Sequence, residues 1–324
     1  MWLSRFLVVL IVFALCSPAE AQQAKKVPRI GYLSATSASF ISSRVEALRQ
    51  GLRELGYVEG KNIVIEQRYA EGKPDRLSAL VAELVRLKVD VIVSAGPLTT
   101  RAAKEATTTV PVVFVQDSDP VGSGFVASLA RPGGNITGLS TLAPELTGKQ
   151  LELLKEIVPR LARVAVFGSS TPGTLQRLRE AELAAGAIGV KVQYLDIQDP
   201  KDIETVFRAA NKGHADAILV FGGAVLISHR TQVIELAVKN RLPATYNVQE
   251  FVEDGGLMSY SASFYDLSRR SATYVDKILK GTKPADLPVE QPIKFEFIVN
   301  LQAAKQIGLT IPPNVLARAD KVLK

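Results

Sequence analysis

The sequence predicts a doubly wound α/β fold built as two similar lobes, and three observations carry that prediction. Short β-branched apolar runs alternate with segments of helical period from Pro28 to about Tyr246. Most of these runs are apolar enough to be covered on both faces, as parallel strands are. The series also repeats itself: RIGYLS through KVDVIVSAG can be laid over RVAVFGSS through HADAILVFGG. Each half is then a strand-helix-strand-helix-strand unit that ends in a glycine-bearing loop. Two lobes are more economical than a single sheet of about ten strands, which would be unusually large.

Residues 1–21 precede the fold. Arg5, the apolar run Phe6 to Leu15, Pro18 and the small-x-small Ala19-Glu20-Ala21 read as a secretory signal peptide cleaved after Ala21. The run is about ten residues, against roughly 20 for a membrane-spanning helix. Lipid anchoring at Cys16 is less favoured, because bulky Leu15 stands where a small residue is preferred. Cys16 is the only cysteine. The mature chain therefore has no disulfide to form, which suits a periplasmic protein better than a small disulfide-stapled one.

The strands expected along the chain are RIGYL, NIVIEQRY, DVIVSA, PVVFV, RVAVFG, KVQYLDI, AILVFGG and PATYNV. Between the first two, Ser43 to Glu46 have capping-box spacing, Val45, Leu48, Leu52 and Leu55 make one stripe, and Gly56 suits a left-handed C-terminal position. Asp75 is expected to cap the helix of Leu77, Leu80, Val81, Leu84 and Val85. Thr171-Pro172 opens the helix of Leu175 and Leu178, and Asp199-Pro200 opens that of Ile203, Val206 and Phe207. In DSDPVGSGFVASLARPGGNITG, a short helix is expected from about Ser123, stopped at Pro132-Gly133-Gly134, with NITGLS as the first strand crossing to the second lobe. Later come the strand GGLMSYS, a helix ending at Gly281, a Pro-rich loop and the alternating strand IKFEFIVN. The expected division is 28–137 with 262–288 for one lobe, and 138–261 with 289–324 for the other.

Chemistry is thinly supplied. The formal charge of +7 is spread rather than blocked, and no basic run alternates with aromatics, which gives nucleic acid no support as a partner. The two histidines, His214 and His229, stand in a turn and at a helix start, and no nucleophile elbow, P-loop or zinc motif is present. No metal and no cofactor is expected. Asp117 and Asp119, two apart, would share a side of an extended segment and could act as an acid pair; turn chemistry or ligand contact is the preferred reading. Gly122-Ser-Gly124 lacks the third glycine of a dinucleotide fingerprint.

Open α/β sheets bind ligands at the carboxyl ends of their strands, beside helix N-termini. Here those loops are Ser34 to Ser39 and Ser94 to Thr100 in the first half, and Gly168 to Thr171 and Phe221 to Gly223 in the second. All are small and rich in hydroxyls or glycine. Each hydroxyl is also able to cap its own helix, but loops of the same character in equivalent places favour a shared ligand site. Tyr246 and Tyr260, at later strand ends, stack on a ligand or pack in the core; both readings stay open.

The stretches LRQGLRELGYVEGKNIVIEQRYAEG, DVIVSAGPLTTRAAKEATTTVPVVFV, DPVGSGFVASLARPGGNITGLS and KQLELLKEIVP resemble the ABC-transporter substrate-binding proteins of the tryptophan/tyrosine-binding type, a branch of the type I periplasmic binding fold. The likeness runs from Pro28 to the C-terminus. It implies two Rossmann-like lobes joined by a multi-strand hinge, with a ligand between them. By the same resemblance Ser34, Ser37, Gly96, Pro97, Thr99, Asp117 and Asp119 fall at the first lobe's ligand face, and Ser169, Ser170, Gly222 and Tyr246 at the second's. Leu98 follows Pro97 where relatives often carry a hydroxyl.

The function expected is that of a periplasmic, non-enzymatic solute-binding protein. It would be a monomer that captures an amino acid or other small carboxylate, aromatic among the choices, and presents it to inner-membrane permease subunits with a cytoplasmic ATPase. Alternatives are a secreted α/β enzyme using Asp117 and Asp119, and a ligand-sensing periplasmic module.

Overall fold

The computed structural model describes residues 26–324, apart from the side chain of Pro172; the signal peptide read over residues 1–21, with Cys16, lies outside them. The first lobe contains β1 (Arg29–Ser34), α1 (Ala38–Glu54), β2 (Val64–Tyr69), α2 (Leu77–Arg86), β3 (Val91–Ala95), α3 (Pro97–Ala106), β4 (Val112–Asp117) and β5 (Ile136–Ser140). Its strands form a parallel sheet of order β2-β1-β3-β4-β5.

The second lobe runs through α4 (Ala143–Ile157), β6 (Arg163–Gly168), α5 (Pro172–Ala187), β7 (Lys191–Asp196), α6 (Asp202–Lys212), β8 (Ala217–Gly222) and α7 (Ala224–Ser228). It continues with α8 (Arg230–Lys239), β9 (Ala244–Tyr246), α9 (Glu250–Glu253) and β10 (Met258–Ala262). Next, α10 (Phe264–Leu279) returns to the first lobe. β11 (Phe295–Asn300), α11 (Leu301–Gln306), α12 (Pro313–Leu316) and β12 (Lys321–Leu323) complete the second. The second sheet has the order β12-β11-β10-β9-β8-β6-β7, parallel except for the β10–β11 pair. Read from β7 to β10 it repeats the first sheet's order, so the internal repeat in the sequence is a repeat of topology.

The chain crosses between lobes after β5, between β10 and α10, and ahead of β11. These crossings are tied to one another: Ser140 N–H donates to the Glu290 carbonyl at 2.9 Å, and Ser263 N–H to the Lys294 carbonyl at 2.9 Å. α10 seats on α1 so closely that a Cβ on Gly51 would lie 2.2 Å from the Arg269 carbonyl oxygen. Only glycine permits that approach. Among the described residues no helix is long and apolar enough to cross a membrane.

Four local expectations are corrected. α1 begins at Ala38, capped by Ser37, whose Oγ accepts from Phe40 N–H at 3.3 Å; Ser43 lies inside the helix, because Phe40 and Ile41 extend the apolar stripe by a turn. Asp75 does not cap α2: it sits in a 3₁₀ turn, Pro74–Arg76, that leads into the helix without a side-chain cap. No helix forms from Ser123 to Arg131. There Phe125 and Val126 N–H both return to the Pro120 carbonyl, at 2.8 and 3.2 Å, and the buried Phe125 and Val126 side chains pin the loop down. Finally, NITGLS does not cross between lobes: β5 pairs with β4 as far as Ser140. The crossing follows it, where Leu142 takes a left-handed φ of 53°.

Candidate functional site: the interlobe cleft

Several contacts between the lobes join segments that follow the carboxyl ends of strands. A Cβ on Gly173, in the first turn of α5, would lie 2.6 Å from Ser118 Oγ, just past β4. One on Gly72, past β2, would lie 2.7 Å from Ser228 Oγ at the end of α7. Arg44 of α1 donates to Glu250 Oε1 of α9 from Nε at 3.0 Å and Nη2 at 2.6 Å. Arg230 of α8 sets its guanidinium carbon 5.1 Å from the Phe40 ring centroid. One buried apolar cluster runs from Phe40 and Ile41 to Val248 and Phe251. The two sheets thus face each other by the strand ends at which α/β sheets take ligands, with the lobes drawn together.

Asp117 closes β4. A register shift between Val115 and Asp117 and a left-handed Gln116, φ 76°, form a bulge of the kind that re-aims a side chain. The Asp117 carboxylate is 1% exposed; Oδ2 accepts from Thr100 Oγ1 at 2.7 Å, while Oδ1 has no partner. Burial pushes this carboxyl up to about 7, against the lowering pull of the Thr100 hydroxyl and Arg101, and Asp119 adds to the rise. Asp119 serves the turn instead, its Oδ1 accepting from Gly122 N–H at 2.7 Å. Arg101 and Lys104 of α3 hold the same loop by the carbonyls of Ser123 and Gly124.

Apart from Gln176 Oε1, Thr245 Oγ1, Ser259 Oγ and Asp266 Oδ2, which lie within α5, β9, β10 and α10, the other buried side-chain atoms without partners among the described residues fall at the same strand ends. They are Gln116 Nε2 beside Asp117, Ser140 Oγ and Thr141 Oγ1 at the crossing, and Asn247 Oδ1 and Glu250 Oε2 after β9. Buried polar atoms are normally paired, and so many left open at the meeting of two lobes is what a polar ligand would satisfy. Carboxylate and amide oxygens supply acceptors; Gln116 Nε2 supplies a donor.

The other residues expected at the site divide. Ser34, 1% exposed, bonds to Thr36 Oγ1 at 2.9 Å and accepts from Thr36 N–H, so its hydroxyl is used within its own turn. Ser37 caps α1. Thr99 is buried and donates to the Gly96 carbonyl at 2.7 Å; Gly96, with φ 100°, caps α3, and Pro97 is the exposed first residue of that helix. Ser169 donates to the Ile197 carbonyl at 2.7 Å, and exposed Ser170 donates its N–H to Asp196. Gly222 lies under the side chain of Asn247. Tyr246 is brought to none of these: it is 1% exposed and stacked on Phe251 at 4.6 Å, against Gly256, in the second lobe's core. Tyr260 likewise packs on Phe295 and Phe297.

Arg44, Glu250, Gln116 and Asn247 escaped sequence reasoning, although Arg44 left a signal. It stands four residues from both Phe40 and Leu48 on the stripe that α1 buries, and a charge in an apolar stripe requires a partner. Arg177 is similar. Buried in α5, it donates to Thr147 Oγ1, Gln150 Oε1 and the Phe221 carbonyl and lies 4.1 Å from the Phe221 ring centroid. Burial lowers it to about 9, and it ties α4 and α5 to the end of β8.

Two facing doubly wound lobes with a polar, partner-poor seam define the class of a two-lobed ligand-binding protein. The chain belongs to the ABC transporter substrate-binding protein family, whose model matches residues 33–323. It is similar to a tyrosine-binding protein of Clostridioides difficile, 23% identical over 88% of this chain and 82% of that protein. Among solved structures it resembles a conserved domain protein from Vibrio cholerae, with 29% identity, TM-score 0.86, and 92% and 100% of the two chains covered. It also resembles an ABC domain in complex with L-Trp from Streptococcus pneumonia, with 26% identity, TM-score 0.85, and 91% and 99% covered.

Proposed function

We propose that this chain is the periplasmic solute-binding component of an ABC importer. It captures an amino acid, an aromatic one foremost, between its lobes and delivers it to permease subunits in the inner membrane, where a cytoplasmic ATPase drives uptake. The observation that carries the ligand class is the set of unpartnered buried atoms on both sides of the seam. Asp117 Oδ1 and Glu250 Oε2 are anionic acceptors suited to an ammonium group, with Gln116 Nε2 and the crossing hydroxyls as donors for a carboxylate. The ligands of two relatives, tyrosine and L-Trp, point to the same class. In this reading the protein is a monomer without catalytic activity. Asp119 Oδ1 accepts from Gly122 N–H, so this carboxylate serves its own turn, and Asp117 is read as a ligand contact and not as half of an acid pair.

Ligand stabilises the closed arrangement because it contacts both lobes only when they are shut. A thermal-shift screen of the amino acids tests the reading. L-tryptophan or L-tyrosine should raise Tm, since ligand at 1,000 times Kd adds about 4.1 kcal/mol. No shift with any amino acid refutes the ligand class.

A further inference from the structure

The ion pair between Arg44 and Glu250 differs from the chain's surface pairs in three respects. It joins the two lobes. It is buried, with side-chain exposures of 4% and 13%. Its guanidinium is also enclosed by aromatic rings, its carbon lying 5.0 Å from the centroid of Phe40 and 4.5 Å from that of Phe264. Nε and Nη2 both reach Glu250 Oε1, while Nη1 turns the other way and donates to Gln116 Oε1 at 2.7 Å. Gln116 is the left-handed residue of the bulge that sets Asp117. One side chain therefore holds the opposite lobe and the turn that presents the cleft carboxylate.

All the atoms of this contact belong to the chain, so forming it requires no ligand. Opening the lobes would part Arg44 from Glu250 while leaving its bond to Gln116, which lies within the first lobe, in place. We infer that Arg44 and Glu250 are a latch that populates the closed arrangement before ligand arrives, with Arg44 also bracing the Gln116–Asp117 bulge from within the first lobe. Arg44 is a positioning residue here: it acts on the ligand through Gln116 and through the lobe equilibrium. A share of closed protein existing beforehand raises apparent affinity in proportion to that share. Lysine cannot replace the fork, because a single ammonium does not span Glu250 and Gln116 together. The inference rests on the two-lobed architecture and not on the ligand class proposed above.

Spin labels on cysteines introduced at Leu87 and Leu183, exposed by 36% and 70% on opposite lobes and outside the cleft loops, read the lobe distance, with Cys16 replaced by serine. The ligand-free labelled chain should give a short-distance population. Glu250→Gln, which keeps the side chain's shape, should cut the closed-to-open ratio by at least about tenfold, as should Arg44→Lys and Arg44→Met. Unchanged far-UV circular dichroism of Glu250→Gln identifies the loss as one of closure and not of folding. An open distribution in the ligand-free parent chain, or an unaltered ratio in folded Glu250→Gln, overturns the latch. If the ligand-free distances respond as stated while no amino acid binds, the ligand class fails and the latch stands.

Discussion

Thr100 donates its hydroxyl to one oxygen of Asp117 at 2.7 Å, and the other oxygen of that buried carboxylate has no partner. Burial pushes this carboxyl from 3.8 to about 7. A group whose folded value is raised favours the folded state below its unfolded value and loses that contribution as pH rises to the folded one. The chain should therefore lose stability relative to Asp117→Asn between about pH 4 and 7 and level off above, measured by urea unfolding in steps of pH. An amine-bearing ligand reverses the sign for binding: affinity should rise up to about pH 7 as the carboxylate ionises. Asp117→Asn should flatten that rise and weaken binding by about 2 kcal/mol, the size of a charged hydrogen bond. Equal pH profiles for the two proteins would show that Asp117 does not titrate in this range.

Thr100→Val tests the same pair from the other side. Its hydroxyl also lies 2.9 Å from Ser94 Oγ, and valine keeps the shape while removing the donor. The buried carboxylate is then left without its one protein donor, a loss of about 1–3 kcal/mol in stability at pH 8. Below the Asp117 pKa the carboxyl is neutral and the cost should shrink. Denaturant midpoints at pH 5 and pH 8 give the comparison, and an equal loss at both would contradict the role given to Thr100.

Much of this was legible in the residues, and the pattern of what was not has a physical basis. Periods of 2 and 3.6 and the internal repeat located β1 to β3 and their copies β6 to β8, since burial on both faces leaves an apolar signature in the chain itself. Thr171 reads as a cap because capping is local, and the structure has it accepting from Thr174 N–H at 3.2 Å. The loop after Asp117 misled because Phe125, Val126 and Leu129 have helical spacing while their burial comes from packing under the first lobe, a tertiary effect. Asp117 could be singled out from sequence by its place at a strand end. Glu250 could not, since its partner Arg44 lies 206 residues away and only folding brings them together.

Tyr246 gives a sharp test of placement. Its ring stacks on Phe251 with an interplanar angle of 13°, and no hydrogen bond holds its hydroxyl among the described residues. Tyr246→Phe should leave ligand affinity within about twofold, because a hydroxyl without a hydrogen bond is all that is removed. Tyr246→Ala should cost about 3–5 kcal/mol of stability through the cavity it opens. Calorimetric titration and chemical unfolding report the two effects separately. A large affinity loss in a stable Tyr246→Phe would return this residue to the ligand face.

Gly173 separates the stability of a lobe from the closure of two. It lies in the first turn of α5, and a side chain there would meet Ser118 of the first lobe at 2.6 Å from Cβ, with Asp119 Cβ at 3.9 Å. Within the second lobe, alanine should be neutral or stabilising, as replacing a helical glycine gains up to about 1 kcal/mol. In the closed arrangement Ser118 can rotate away from a methyl, so Gly173→Ala should weaken binding only a few-fold, on the order of 0.5–1 kcal/mol. Gly173→Leu cannot be accommodated by one rotating hydroxyl, and should weaken binding by more than about tenfold, or 1.4 kcal/mol, while thermal unfolding of the ligand-free protein is little changed. The two steps in affinity against a flat ligand-free Tm would locate the contact at closure. A parallel fall in both would place Gly173 in the lobe's own packing instead.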